Sequence, residues 1–103
     1  MDKNFGLPQR TIDELLAYFQ NKTEVEKVVI YGSRAKGTYK NGSDIDFAVW
    51  TKDNNAIKIG WELDDLDTPY KFDVINYNSE IYPPLKKSID TDGKIFYIKN
   101  NKP

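Results

Sequence analysis

The chain has 103 residues, and its 15 basic side chains nearly balance 16 acidic ones, for a formal charge of −1. That length fits a single domain over residues 1–103, and the charge balance argues against an extended nucleic-acid surface. Cysteine and histidine are both absent, which excludes disulfides, thiolate or imidazole metal sites and histidine-based acid–base catalysis, and leaves oxygen ligands and hard cations for any metal.

Residues 1–9 read as a loose lead. Thr11 then stands as an N-cap with Glu14 completing a capping box. Ile12, Leu15, Leu16 and Phe19 follow at helical spacing, and the helix ends near Gln20 and Asn21. The β-branched run at residues 28–31 predicts a buried strand ended by Gly32. Residues 33–36 form a helical turn closed by Gly37, and residues 38–42 a polar loop. Ile45, Phe47 and Val49 alternate with Asp44, Asp46 and Ala48, the period of a strand.

Asn54 or Asn55 is placed to cap a second long helix through Asp67, carrying Ala56, Ile59, Leu63 and Leu66. Residues 70–77 return to a strand, with Phe72, Val74 and Asn76 on one face and Asp73 and Ile75 on the other. A further helix over residues 79–89 would hold Pro83 and Pro84 in its first turn. Asp92 and Gly93 make a turn, residues 94–98 a last strand, and residues 99–103 a polar tail. Alternating helices and strands predict an α/β layer with a mixed sheet. No apolar stretch approaches the ~20 residues of a membrane span, and no signal peptide opens the chain, so a cytoplasmic location is expected. Trp50 and Trp61 read as core or sheet-edge residues.

Three pieces carry the chemistry. Glycine at the strand–helix junction, Gly32, permits a sharp turn and the close approach of a ligand, and Ser33 adds a hydroxyl beside the exposed N–H groups: a phosphate cradle. The P-loop pattern fails here, because Gly37 is followed by Thr38 rather than by Lys. Asp44 and Asp46 point to one face of a strand, about 7 Å apart. Like charges so placed repel, and a divalent cation between them reverses the sign. Asp73 adds a carboxylate to the following strand. Taken singly, each piece has a plain alternative: ordinary topology for Gly32, a solvated pair for Asp44 and Asp46, and an exposed face or salt bridge for Asp73. Taken together, they predict one triphosphate–metal site.

The run Gly32-Ser33-Arg34-Ala35-Lys36-Gly37, followed by Ser43-Asp44-Ile45-Asp46-Phe47, resembles the signature of the polymerase-beta-like nucleotidyltransferase superfamily. In a chain this short it is most similar to the minimal nucleotidyltransferases (MNT proteins), many of which are paired with a helical HEPN protein as toxin and antitoxin. The resemblance implies the α+β polymerase-beta-like fold, with a mixed sheet of about four strands and flanking helices. It also implies a nucleotide site: Gly32 and Ser33 on the phosphates, helped by Arg34, Lys36 and Ser43. Lys36 stands where relatives often have arginine, and it loses the bidentate contact. Asp44, Asp46 and Asp73 would be the catalytic and metal-ligating acids for two Mg2+ ions, or Mn2+. The implied reaction is transfer of AMP from ATP to a hydroxyl, such as a tyrosine of a HEPN-type partner. The alternative is a non-catalytic antitoxin that neutralises its partner stoichiometrically. The short length implies that a second chain or a homo-oligomer completes the acceptor site.

Overall fold

The computed structural model describes residues 4–78 and 80–99. The elements are α1 (Gln9–Gln20), β1 (Val25–Tyr31), α2 (Gly32–Lys36), β2 (Ile45–Thr51), α3 (Ala56–Asp64), β3 (Phe72–Asn76), α4 (Pro83–Asp92) and β4 (Lys94–Ile98). The strands form one mixed sheet in the order β3-β2-β1-β4. β1 pairs antiparallel with both β2 and β4, and β2 pairs parallel with β3 through the α3 crossover.

Period-2 alternation divides the sheet residues between two cores. On one face Val28, Ile30, Ile45, Phe47 and Val49 meet Leu15 and Phe19 of α1 and Ile59 and Leu63 of α3. On the other, the smaller cluster of Val29, Tyr31 and Ala48 is covered by Ile89 of α4. The first core is sealed, and the second covers only part of its face. α1 and α3 are also tied at the surface, where the Tyr18 hydroxyl donates to Glu62 at 2.6 Å and Lys22 pairs with Glu62 at 2.9 Å.

Several boundaries differ from the sequence reading. α1 starts at Gln9, so Thr11 lies buried in its first turn and is not the cap. Pro8 takes the cap position in extended conformation, and its carbonyl accepts from Ile12 N–H at 3.1 Å. The lead is packed from Phe5 onward, with Leu7 only 4% exposed. β1 begins at Val25, three residues earlier than the apolar run suggests, because it has two flanking strands to pair with. α3 stops at Asp64 rather than Asp67, and Asn55 supplies no side-chain cap. That service comes from β3: Asn76 Oδ1 accepts from Ala56 N–H at 3.1 Å, and its amide donates to the Asn54 carbonyl at 2.9 Å. α4 begins at Pro83, with both prolines in its first turn, and runs on to Asp92. The expected start at Ser79 and the tail at residues 100–103 lie outside the described residues. Among the described residues no helix is long and apolar enough to cross a membrane.

Candidate active site

At the C-terminal end of β1 the backbone turns through Gly32, whose φ of 73° lies in the left-handed region. A second constraint also requires glycine there. A Cβ at Gly32 would overlap Asp46 Oδ2 and lie 3.2 Å from its Cγ. The group that closely approaches this glycine is therefore the Asp46 carboxylate. The short α2 that follows ends at Gly37, with φ of 81°, and Thr38 N–H donates to the Ser33 carbonyl at 3.0 Å. Ser33 is half-buried at the start of this turn, and Lys36 is exposed at its end.

Arg34 does not face solvent as a phosphate ligand would. It is 3% exposed, and a buried guanidinium must satisfy its donors. Its Nη1 donates to the Phe5 carbonyl at 2.9 Å, while Nε and Nη2 donate to the Ser43 carbonyl at 3.2 and 2.9 Å. The guanidinium carbon lies 5.3 and 5.1 Å from the ring centres of Tyr39 and Tyr70. Arg34 thus clamps the lead and the loop that delivers Asp44. Ser43 belongs to the same clamp: its hydroxyl accepts from Lys40 N–H at 2.8 Å. Beyond Asp44, Ile45 N–H is fixed to the Lys71 carbonyl at 2.9 Å, which joins the start of β2 to β3.

Asp46 and Asp73 lie side by side on neighbouring strands, while Asp44, expected on the same strand as Asp46, falls one residue before β2 begins. Ile45 is buried on the large-core side, so Asp46 points to the opposite face. Asp46 is the register partner of Tyr31 on one side and of Asp73 on the other. The three side chains form a row across β1, β2 and β3 at one end of the small-core face. Asp73 is exposed, and it is not trapped among Phe72, Val74 and Ile75. Burial pushes the Asp46 carboxyl up to about 6; Asp73 and then Asp44 push it the same way, against the pull of Arg34. Burial also raises the Tyr31 phenol, helped by Asp73 and Asp46. Among the described residues no three carboxylates are already closed into a metal cage. The donor set nonetheless suits a hard cation: all oxygen, with Asp46 half-buried beside Asp73 and Asp44 just ahead of β2.

Two aromatics left open by sequence are now placed. Trp50 stacks on Tyr77 at 4.4 Å between ring centres, under the Lys27 ammonium at 4.6 Å, at the far end of β2 from Asp46. Trp61 is 69% exposed on α3, contrary to a core or sheet-edge position. Sequence reasoning missed Tyr31 and the clamp made by Arg34. Tyr31 is in phase with Val29 along β1, which signals its face; its register against Asp46 has no local signal.

The polymerase beta nucleotidyltransferase family pattern matches residues 13–102. The chain belongs to the polymerase beta nucleotidyltransferase family. Among curated protein sequences none matches it. Several solved structures similar to this nucleotidyltransferase domain are chains of toxin–antitoxin complexes. A chain of a toxin–antitoxin solved with AMP-PNP is 25% identical, with a TM-score of 0.60 over 90% of this chain and 75% of that one. A chain of a mutant of the toxin–antitoxin MntA-HpeT is 28% identical, with a TM-score of 0.63 over 90% and 74%. A chain of the complex between tri-AMPylated Shewanella oneidensis HEPN toxin and MNT antitoxin is 19% identical, with a TM-score of 0.55 over 89% and 74%; that likeness speaks to the fold alone.

Proposed function

We propose that this domain transfers AMP from ATP to a hydroxyl on a HEPN-type partner protein and so acts as an antitoxin. The observation that carries the reading is the register of Asp46 against Asp73, with Asp44 two residues before Asp46 at the same end of the sheet. Asp73 and Asp44 both oppose the ionised Asp46, and a divalent cation joining the three would reverse that sign. Family membership supports nucleotidyl transfer as the reaction. The relative solved with AMP-PNP, an ATP analogue, supports an adenine nucleotide and a toxin partner.

Asp44, Asp46 and Asp73 would hold Mg2+ or Mn2+, which supplies charge neutralisation for the triphosphate and for the departing pyrophosphate. Ser33 and the N–H groups at the start of α2 bind phosphate oxygens, and Lys36 swings in from the exposed end of that turn as a point charge. Arg34 acts one step back: it fixes the loop that presents Asp44, and its charge is felt by Asp46. The acceptor oxygen attacks the α-phosphorus in line. The bond to the β-phosphate oxygen breaks, pyrophosphate leaves, and Asp73, the most open of the strand acids, takes the acceptor proton. Such a reaction consists mostly of positioning and charge neutralisation, which a domain without histidine can perform.

The test is label transfer. The protein is incubated with Mg2+, ATP labelled at the α-phosphate, and a HEPN-type protein as acceptor. Label on a partner hydroxyl that disappears with Asp44→Asn or Asp46→Asn supports transfer. Neutralisation of the partner that survives both substitutions overturns it in favour of stoichiometric binding.

A further inference from the structure

The sheet ends on β3 at one side and β4 at the other, and the two edges differ. β4 pairs with β1 through a register shift between Val28 and Val29, whereas β3 runs along β2 unbroken from Ile45 and Phe72 to Val49 and Asn76. Two hydrogen bonds set the phase of β3: Ile45 N–H donates to the Lys71 carbonyl at 2.9 Å, and Tyr77 N–H to the Val49 carbonyl at 2.9 Å. Main-chain groups alternate sides along a strand, so Lys71, Asp73, Ile75 and Tyr77 direct theirs to β2. Phe72, Val74 and Asn76 therefore turn N–H and C=O outward, and among the described residues no strand lies beyond them. β3 itself carries no lysine or proline to blunt that edge.

The side chains around the edge are apolar and exposed. Ile57 and Trp61 stand one turn apart on α3, at 70% and 69% exposure. Gly60 between them brings the helix down onto β3, where a Cβ would sit 3.8 Å from Val74 Cγ2. On the other side Tyr82, at the N-cap of α4, is 70% exposed. Ile57, Val74, Ile75, Tyr82 and Leu85 line an open groove of about 330 Å3. Clustered exposed apolar side chains, tryptophan and tyrosine above all, mark contact surfaces for proteins. Asp73 stands two residues before Ile75 on the same face, so one strand joins the groove to the acid row.

We propose that this open edge docks the acceptor: a segment of the partner protein adds to the sheet as a fifth strand, pairing its backbone with Phe72, Val74 and Asn76. This rests on the transfer reaction proposed above and names how its protein substrate is recognised. A row of free main-chain groups selects an extended backbone, and alternate side chains set specificity. A helix cannot occupy the edge, because its own main-chain groups are already paired. The residue opposite Asp73 shares its face, with Cβ atoms about 5 Å apart, which brings an acceptor hydroxyl to the carboxylate that takes its proton. Two positions along, the residue opposite Ile75 lies over the groove and is apolar. The substrate is thus an extended segment with a hydroxyl residue two positions from an apolar one.

Amide hydrogen exchange, followed residue by residue by NMR, tests the docking. Saturation with the HEPN-type acceptor and a non-hydrolysable ATP analogue is expected to slow Phe72, Val74 and Asn76 by about tenfold or more. Asp73, Ile75 and Tyr77, already paired with β2, are expected to change far less, an alternation that burial alone does not produce. Ile57→Asp, at an exposed position, is expected to raise the KM for the acceptor by about 10–30-fold, well beyond any fall in kcat. Label transfer without the alternating protection, or with an unchanged KM in Ile57→Asp, overturns this inference alone. Protection that appears without acceptor and grows with protein concentration puts a second copy on the edge and also overturns it. Absence of any label transfer overturns the reaction and the docking together.

Discussion

Asp46→Asn should make the protein more stable while destroying its activity. The charged Asp46 is opposed by burial, Asp73 and Asp44, which raise its carboxyl from 3.8 to about 6. The gap corresponds to about 3 kcal/mol of unfavourable work on the ionised form. Because the group is half-exposed, solvent screening reduces the recoverable part to about 1 kcal/mol. Asparagine keeps the shape beside Gly32 and removes the charge. For a domain of this size about 1 kcal/mol moves the thermal midpoint by about 5 °C. The sign follows from linkage. The folded protein holds the Asp46 proton to higher pH than the unfolded chain, so stability falls as pH rises between about 4 and about 6. Thermal unfolding by circular dichroism would therefore show the variant above wild type near pH 7.5, with the gap closing toward pH 4. A destabilised variant, or a gain independent of pH, would refute the claim that burial and the neighbouring acids oppose the ionised Asp46.

Other substitutions test the scaffold. Gly32→Ala meets both a positive φ and the Asp46 carboxylate, and should cost about 1–3 kcal/mol in chemical denaturation and abolish nucleotide binding. Arg34→Lys keeps the charge but loses the fork to the Phe5 and Ser43 carbonyls; hydrogen exchange should quicken at residues 38–44, with a stability loss of about 2–3 kcal/mol. Were Arg34 a phosphate ligand instead, nucleotide affinity would fall with exchange unchanged. Asn76→Ala uncaps α3 from outside that helix and should lower stability by about 1 kcal/mol in urea titration, without altering nucleotide binding.

Much of this architecture is written locally. The alternation of Ile45, Phe47 and Val49 with Asp46 fixed both the strand and its acidic face, and helical spacing located Leu15 and Phe19 and, later, Ile59 and Leu63 in the large core. What local pattern lacks is knowledge of partners. Of Asn54 and Asn55, Asn55 holds the N-cap position of α3, but the capping side chain is Asn76, twenty residues beyond Ala56. Pro8 displaced Thr11 as a helix start because Thr11 is buried against the body of the protein. Arg34 looked like a phosphate ligand in its Gly-Ser context, but Tyr39, Tyr70 and two carbonyls distant in sequence claim it. The meeting of Asp46 with Asp73 depends on parallel register, which the residue types suggested and only the sheet established.

Isothermal calorimetry of ATP binding, with and without Mg2+, measures the central claim most directly. The account predicts saturable binding that requires the cation and weakens as pH is lowered through about 6, where Asp46 takes up its proton. Equal binding in EDTA and in Mg2+, or none in either, would contradict it.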